Sequence, residues 1–199
     1  MNLSQFFALI RPRTLTAAFS PVVLGAAMGA TQFSQTQPIW LSLVYTLGIL
    51  ISVLSAQIAA NIWNEYFDFK SGLDLTQVSG NSGSIVRDGI APTVIKRWGY
   101  VTTILPLFLG IALANAITWW YIPVGILCIL TSILYSGGPK PISRTPFGEV
   151  ASGLAMGFAI VGITLYAWTH TLHWTDLIPA VPSTILIGAI MMTNNLRDF

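Results

Sequence analysis

The chain has 199 residues, of which 54% are hydrophobic and only 8% charged, with a mean hydropathy of +0.71 and a formal net charge of +2. A soluble globular domain carries about 25% charged residues, so this composition excludes an ordinary soluble protein. It indicates instead a helical protein that crosses a membrane several times. No nucleic-acid partner is expected from so small a net charge.

About six segments are apolar enough to span a membrane, since a spanning helix needs roughly 20 mostly apolar residues. In chain order the predicted spans cover residues 14–32, 40–62, 99–117, 119–136, 149–169 and 177–196. The predicted fold class is therefore all-α, a polytopic transmembrane helix bundle that forms one domain over residues 1–199. Cys128 lies within the fourth span and is expected to pack in the core.

The positions of the charged residues predict how this bundle is oriented. With six alternating spans, all of the basic residues fall on one side of the membrane: Arg11, Arg13, Lys70, Arg87, Lys96, Arg97, Lys140, Arg144 and Arg197. The positive-inside rule makes that side, with the N-terminus, cytoplasmic in a multi-pass protein of the cell membrane. An interfacial belt of aromatic anchors is predicted near the opposite boundary, formed by Trp40, Trp119, Trp120, Tyr121, Trp168 and Trp174.

The end of the second span reads NIWNEYFDFKSGLD and concentrates scarce acidic residues. If the helix continues there, one face carries side chains at i, i+3, i+4 and i+7, namely Asn61, Asn64, Glu65 and Asp68. Polar groups on a membrane helix normally face the bundle interior or a wet cavity. Their oxygen atoms suit Mg²⁺, which takes one or two protein carboxylates together with water and substrate phosphates. Gly72 is expected to end the helix, and the alternative is a solvated loop with ordinary surface acids.

The same polar pattern occurs twice in the chain. Asn64-x-x-x-Asp68 follows the second span, and Asn194-x-x-x-Asp198 follows the sixth. This recurrence predicts two related four-helix units, the second of them incomplete. Because the sequence stops at Phe199, directly after the second acid, we expect it to be a fragment of a longer protein.

Two glycine-rich loops on the same side carry cations. Arg87 lies in GNSGSIVRDG, and Lys140 and Arg144 lie in YSGGPKPISRTPFGE. Arginine and lysine bind phosphate oxygens, and glycine-rich turns can direct backbone N–H groups towards anions. Together with the acids and an apolar cavity below them, these loops predict a site for a diphosphate that bears a long hydrocarbon tail. Charge that only sets topology is the alternative for each loop, and a snorkelling anchor is the alternative for Arg11.

These stretches resemble the UbiA-type aromatic prenyltransferase superfamily. NEYFDFKSGLD resembles its first aspartate-rich motif. RPRTLTAAFSPVVLG, YSGGPKPISRTPFGEV and NNLRD resemble the branch that prenylates 1,4-dihydroxy-2-naphthoate in menaquinone biosynthesis. The resemblance implies a bundle of nine spans, of which this chain would hold about six, with an active site that opens towards the cytoplasm. It also implies that two aspartate-rich motifs bind Mg²⁺ and an isoprenoid diphosphate.

The residue patterns and the resemblance together assign roles to particular residues. Those expected to act in catalysis are Asp68, Asp198, Lys140 and Arg144. Those expected to bind substrate are Asn61, Asn64, Arg87, Asn195, Arg197 and Arg11. The expected ligands of Mg²⁺ are Asn64, Glu65, Asp68, Asp74 and Asp198. Glu65 stands where the family usually has aspartate, and the chain ends within the second motif.

The predicted reaction is the Mg²⁺-dependent transfer of a polyprenyl group from its diphosphate to an aromatic acid. The resemblance favours 1,4-dihydroxy-2-naphthoate as acceptor, giving demethylmenaquinone with loss of CO₂ and diphosphate. Prenyltransferases of the 4-hydroxybenzoate, haem O or chlorophyll type are alternatives. A small-solute transporter is the alternative from another class. Transporters bind near the bilayer midplane, however, and the acidic residues here lie at the ends of spans.

Overall fold

A computed structural model describes residues 3–32, 37–72 and 84–197 of the chain, with side chains as far as residue 193. The described part contains seven main helices and no strands. They are α1 (Leu3–Ile10), α2 (Leu15–Thr31), α3 (Ile39–Ser71), α4 (Pro92–Ala116), α5 (Tyr121–Ser136), α6 (Gly148–Thr169) and α7 (Ala180–Arg197). Short 3₁₀ turns cover Pro12–Thr14, Ile142–Arg144 and Trp174–Leu177.

The prediction of an all-α membrane bundle is confirmed. Four helical segments are long and apolar enough to cross a membrane: Leu3–Thr31, Ile39–Ser71, Pro92–Ala116 and Gly148–Thr169. The shorter apolar helices α5 and α7 coincide with the remaining two predicted spans. The protein is therefore a multi-pass membrane protein.

Helix α3 continues past the predicted second span, which stops at residue 62, and ends at Ser71, so the expectation that Gly72 ends this helix is confirmed. Hydropathy falls after residue 61, but no helix-breaking residue occurs until Gly72, which adopts φ 78° and closes the helix. At 33 residues, α3 is about 50 Å long, compared with about 30 Å for the hydrocarbon core. Its polar C-terminal turns are thereby carried beyond the apolar part of the bundle.

Small residues allow the helices to approach one another closely. A Cβ placed on Gly29 of α2 would lie 2.5 Å from Cβ of Trp168, and one on Gly157 of α6 would lie 2.5 Å from Cα of Thr184 in α7. Such contacts are typical of helix packing in membranes, where apolar burial supplies little driving force. Gly157 belongs to a π-helical segment, Gly153–Ala159, in the middle of α6.

The residues of the predicted aromatic belt differ in their exposure. Four of the predicted anchors are strongly exposed, as an interfacial position requires: Trp40, Trp119, Trp120 and Trp174. The prediction is wrong for Trp168 and Tyr121, which are 4% and 8% exposed. Trp168 packs into the space left by Gly29 and donates a hydrogen bond from Nε1 to Thr46 Oγ1 at 2.8 Å.

Two apolar clusters of buried side chains hold the helices together. The first contains buried residues from each of the five helices α2, α3, α4, α5 and α6, namely Val22, Ile49, Ala114, Tyr121, Ile160 and Ala167. The second fixes α1 and the segment before α4 against α3, and it contains Leu9, Ile62, Ile85, Ile90 and Ile95. Through this second cluster, the N-terminal turn and residues 84–90 are held beside the polar C-terminal part of α3.

Candidate active site

A cavity of about 410 Å³ lies between the helices and has one polar end. Most of its wall is apolar, with contributions from α3, α4, α5, α6 and α7. The polar end is formed by the turn before α2 and by the last part of α3, through Arg11, Arg13, Asn61 and Asn64. An apolar chamber with a cationic and amide-lined end suits an amphipathic ligand with a negatively charged head.

Asn61 is fully engaged in holding the N-terminal turn. Its Nδ2 donates to the backbone oxygen of Ile10 and to Thr14 Oγ1, both at 2.8 Å, and its Oδ1 accepts from Gln57 Nε2 at 3.3 Å. The side chain is buried, at 3% exposure. Asn61 therefore fixes the polar end of the cavity by joining α3 to the start of α2.

Asn64, one turn further along α3, differs from Asn61 in one respect. Its Oδ1 is buried and has no hydrogen-bond partner among the described residues. An unpaired buried carbonyl oxygen costs about 1–3 kcal/mol. Because Asn64 lines the cavity, a ligand or ion in the cavity could satisfy this oxygen.

Glu65 is the most deeply buried acid in the described chain, at 1% exposure. Its Oε2 lies 3.4 Å from Arg11 Nη2, and its Oε1 accepts a hydrogen bond from the backbone N–H of Ile85 at 3.3 Å. The carboxylate thus connects the turn before α2 with the segment before α4. Its predicted role as a Mg²⁺ ligand stays a prediction.

Arg11 has an unusual backbone. Its φ of 50° lies in the left-handed region, which only two non-glycine residues of the described chain adopt. Thr14 stabilises the turn because both its backbone N–H and its Oγ1 donate to the Arg11 carbonyl oxygen, each at 2.9 Å. The side chain is 16% exposed and lines the cavity. Arg11 is therefore presented to the cavity rather than to the membrane surface.

The structure places the other predicted metal-binding residues only in part. Asp68 lies one turn after Asn64 on α3 and is half-buried. Asp74 and Asp198 lie outside the described residues, and Asn195 and Arg197 are described only as part of the backbone of α7. Among the described residues, no three His, Cys, Asp or Glu side chains converge as a metal site. The paired aspartate motifs stay a prediction.

The predicted cationic loops differ in their contacts. Arg144 is exposed and donates from Nη2 to Ser71 Oγ at 3.0 Å, which brings its loop to the end of α3. Lys140 is exposed in the same loop. Arg87 instead makes a bidentate ion pair with the neighbouring Asp88, donating from Nε to Oδ1 at 2.8 Å and from Nη2 to Oδ2 at 2.9 Å. The hydrogen bond from Arg87 lowers the pKa of the Asp88 carboxyl below its ordinary value, so this pair is charged at neutral pH.

Sequence reasoning missed three residues at the polar end of the cavity, Arg13, Thr14 and Gln57. Gln57 lies four residues before Asn61, so the helical period of the polar stripe could have found it. Thr14 gave no such signal, because its role depends on the left-handed turn at Arg11. Cys128 was expected in the core, and it lines the cavity instead.

Comparison with known proteins adds independent evidence. Residues 18–199 match the UbiA prenyltransferase family. The chain is 38% identical over 190 residues to the 1,4-dihydroxy-2-naphthoate octaprenyltransferase of Bacillus subtilis, covering 96% of this chain and 59% of the relative. Relatives of the same name from Haemophilus influenzae and Mycobacterium tuberculosis are each 30% identical and are matched over 99% of this chain and 65% of their own length.

The chain thus spans about three fifths to two thirds of the length of these relatives. The family match covers both the helices that enclose the cavity and the polar turns of α3. The chain belongs to the UbiA prenyltransferase family.

Proposed function

We propose that the protein containing this chain transfers a polyprenyl group from its diphosphate to an aromatic acid. The acceptor we infer is 1,4-dihydroxy-2-naphthoate, so that the product is demethylmenaquinol, the reduced form of demethylmenaquinone. The family and the activities for which the relatives are named support this reaction over small-solute transport. The observation on which the proposal rests is that Asn64 Oδ1, on the wall of an apolar cavity, is buried and has no hydrogen-bond partner within the part of the chain that the structure describes.

The shape and polarity of the cavity suit both substrates. Its apolar wall matches a hydrocarbon tail, and Arg11 and Arg13 at one end match the negative charge of a diphosphate or of an acceptor carboxylate. The loop that carries Lys140 and Arg144 reaches Ser71 at the end of α3. These cations could therefore neutralise the head group while the tail lies among the helices.

The residues at this end also fit a magnesium ion. Asn64 offers an unpaired amide oxygen, and Asp68, one turn away, offers a carboxylate, which is the hard oxygen donor set that Mg²⁺ prefers. We propose that these two residues, with Asp74 and Asp198, hold the ion. When bound there, Mg²⁺ would stabilise the negative charge of the leaving diphosphate.

The reaction we infer begins when the bond between the allylic carbon and the diphosphate oxygen breaks and the electron pair leaves with the diphosphate. Lys140 and Arg144 would stabilise that negative charge as it develops. The enclosed apolar wall would keep water away from the allylic cation. The electron-rich ring then forms a carbon–carbon bond, and the acceptor carboxylate leaves as CO₂, returning its bonding pair to the ring.

The orientation belongs to the same proposal. With six alternating spans, every basic residue of the sequence falls on the side of the polar turns of α3, so we infer that the site opens to the cytoplasm. Both substrates would then reach the site from the cytoplasmic face or from the bilayer.

The proposal is tested with membranes that carry the natural full-length protein. They are supplied with Mg²⁺, a polyprenyl diphosphate and a panel of aromatic acids, and the lipid product is identified by mass. We expect a product with 1,4-dihydroxy-2-naphthoate whose mass corresponds to prenyl gain and CO₂ loss, and no product when a chelator removes Mg²⁺. Prenylation of 4-hydroxybenzoate alone would contradict the choice of acceptor, and the absence of any prenylated product would contradict the activity.

A further inference from the structure

We propose that Glu65 is a positioning residue rather than a metal ligand. Its carboxylate fixes Arg11 at the polar end of the cavity and joins that turn to the segment of residues 84–90. This inference rests on the proposed function, and it changes the role that the aspartate-rich pattern assigns to the second residue of the motif.

The first argument is where the carboxylate points. Asn61 and Asn64 line the cavity, whereas Glu65 is absent from the described lining. Both oxygens of Glu65 lie against protein donors, the guanidinium of Arg11 at 3.4 Å and the amide of Ile85 at 3.3 Å. A divalent ion bound to the same carboxylate would be brought close to the Arg11 cation, and like charges repel strongly in a buried site.

The second argument is the conformation of Arg11. A non-glycine residue in the left-handed region is strained, and such strain persists where the surroundings hold it in place. Two hydrogen bonds from Thr14 hold the backbone of this turn, and Asn61 in turn donates to Thr14 Oγ1. Glu65 holds the other end of Arg11, because its carboxylate accepts a hydrogen bond from the Arg11 guanidinium.

The third argument is that residues 84–90 have an anchor of their own. Ile85 and Ile90 are buried beside Leu9, Ile62 and Ile95, and the Ile90 N–H donates to the Ser84 carbonyl oxygen at 3.2 Å. This anchor holds the segment without Glu65. Replacing Glu65 by its uncharged isostere should therefore loosen Arg11 while leaving the fold intact.

The kinetic test uses the full-length protein with Glu65→Gln, Arg11→Gln and the double variant. We expect Glu65→Gln to raise the KM for the aromatic acid about tenfold, the effect of losing one charge-assisted interaction. The half-saturating concentration of Mg²⁺ should not change. Arg11→Gln should raise the same KM, and the double variant should be no worse than the poorer single variant, since the two residues act as one unit.

Asp68→Asn is the matched control on the same helix. Because Asp68 is the proposed metal ligand, this variant should raise the half-saturating concentration of Mg²⁺, which shows that the assay can detect loss of a ligand. An increase of similar size for Glu65→Gln would overturn the inference. A lower kcat with an unchanged acceptor KM would also overturn it, because that result indicates a merely structural role.

A second test needs no activity. Amide hydrogen exchange of residues 84–90 is compared in detergent-solubilised protein without substrates, using Glu65→Leu and, as control, Asn64→Leu. We expect faster exchange at Ile85 only in the Glu65 variant, since only that variant removes the acceptor of the Ile85 N–H. Equal exchange in both variants would overturn the inference. A wild-type protein that prenylates no aromatic acid would overturn the proposed function, and the exchange result alone would then decide whether Glu65 ties these segments together.

Discussion

Two partly buried polar clusters lie at opposite ends of the bundle, and they differ in how completely their polar atoms are paired. The Gln37 cluster consists of Gln37, Ser42, Thr46, Trp168 and His170. The Asn64 cluster consists of Arg11, Thr14, Asn61, Asn64 and Glu65. In the Gln37 cluster, the amide nitrogen donates to Ser42 Oγ and to the Ala167 carbonyl oxygen, and the amide oxygen contacts His170 Nε2.

The Asn64 cluster is also joined by hydrogen bonds and an ion pair, but Asn64 Oδ1 has no partner among the described residues, and the cluster borders the cavity. A polar cluster whose groups satisfy one another stabilises the fold and offers nothing to a ligand. A cluster with one unpaired buried oxygen beside a cavity gives up stability that a ligand can restore. In a chain where polar groups are scarce, this difference separates polar residues that hold the fold together from those proposed to bind a ligand.

The largest expected effect comes from Asp68, which continues the polar face of the Asn64 cluster. In the full-length protein, Asp68→Ala should lower Mg²⁺-dependent prenyl transfer by more than about a hundredfold, because loss of a direct metal ligand exceeds the 10–100-fold cost of losing an outer partner. The measurement is product formation in membranes at saturating Mg²⁺, corrected for the amount of folded protein.

Asp176→Asn provides the control for removing a carboxylate. Asp176 accepts from the backbone N–H of His173 at the opposite end of the molecule. Its loss should leave prenyl transfer within about twofold of wild type, as for other surface substitutions. Near-normal turnover by Asp68→Ala would contradict the proposal that Asp68 and the Asn64 cluster form a ligand site.

The second prediction sets two asparagines of one helix against each other. Asn61→Leu should lower the free energy of unfolding by about 1–3 kcal/mol, because the Ile10 carbonyl and the Thr14 hydroxyl lose their donor. Asn64→Leu should leave that free energy unchanged or raise it by up to about 1 kcal/mol, because an unpaired buried oxygen disappears. Thermal unfolding in detergent without substrates measures both.

For Asn64→Leu, activity should fall even though the free energy of unfolding does not. Prenyl transfer by Asn64→Leu should fall at least about tenfold despite the unimpaired fold. Equal destabilisation by the two leucine variants would mean that Asn64 Oδ1 is paired in solution, and the proposed ligand site would lose its main support.

The third prediction concerns the Gln37 cluster. Gln37→Leu should lower the free energy of unfolding by about 1–3 kcal/mol, because it removes the partners of Ser42, Ala167 and His170. The KM values of both substrates should not change. The same substitution at the cavity, Gln57→Leu, is the matched control and should alter the acceptor KM. A changed KM in the Gln37 variant would show that this cluster is not purely structural.

The contrast between these clusters also shows how far the sequence could predict the molecule. The helices at all six predicted spans were predictable because each contains a long apolar run. The polar stripe on α3 was predictable from its helical period, and Gly72 from its place after the last periodic residue. These features depend on neighbours within one helix, and a single sequence displays such neighbours directly.

Features that depend on distant neighbours were not predictable in this way. The contact between Glu65 and Ile85 joins residues 20 positions apart, and that between Arg11 and Glu65 joins residues 54 apart. The burial of Trp168 depends on Gly29, far away in the chain. The sequence therefore predicts which polar residues share a face of α3, but not which of them turn to the cavity and which to the protein.

The last prediction concerns two glycines, one on the wall of the cavity and one at a close contact between helices. A Cβ on Gly125 of α5 meets no atom within 4 Å and would point into open space, whereas a Cβ on Gly29 would collide with Trp168 of the Gln37 cluster. Gly29→Ala should therefore destabilise the protein by about 1–3 kcal/mol, the usual cost of overpacking. Gly125→Ala should leave its stability within about 1 kcal/mol of wild type.

Gly125 lines the cavity, so a larger side chain there should act on the substrate. Gly125→Val should lower kcat/KM for a long prenyl diphosphate by roughly tenfold relative to a short one, since a filled apolar pocket discriminates by about 1–3 kcal/mol. The measurement is a competition between donors of different length in one membrane preparation, with the products separated by mass. If the valine variant lowers both rates equally, the tail lies elsewhere, because a side chain that narrows the binding space must affect the longer donor more.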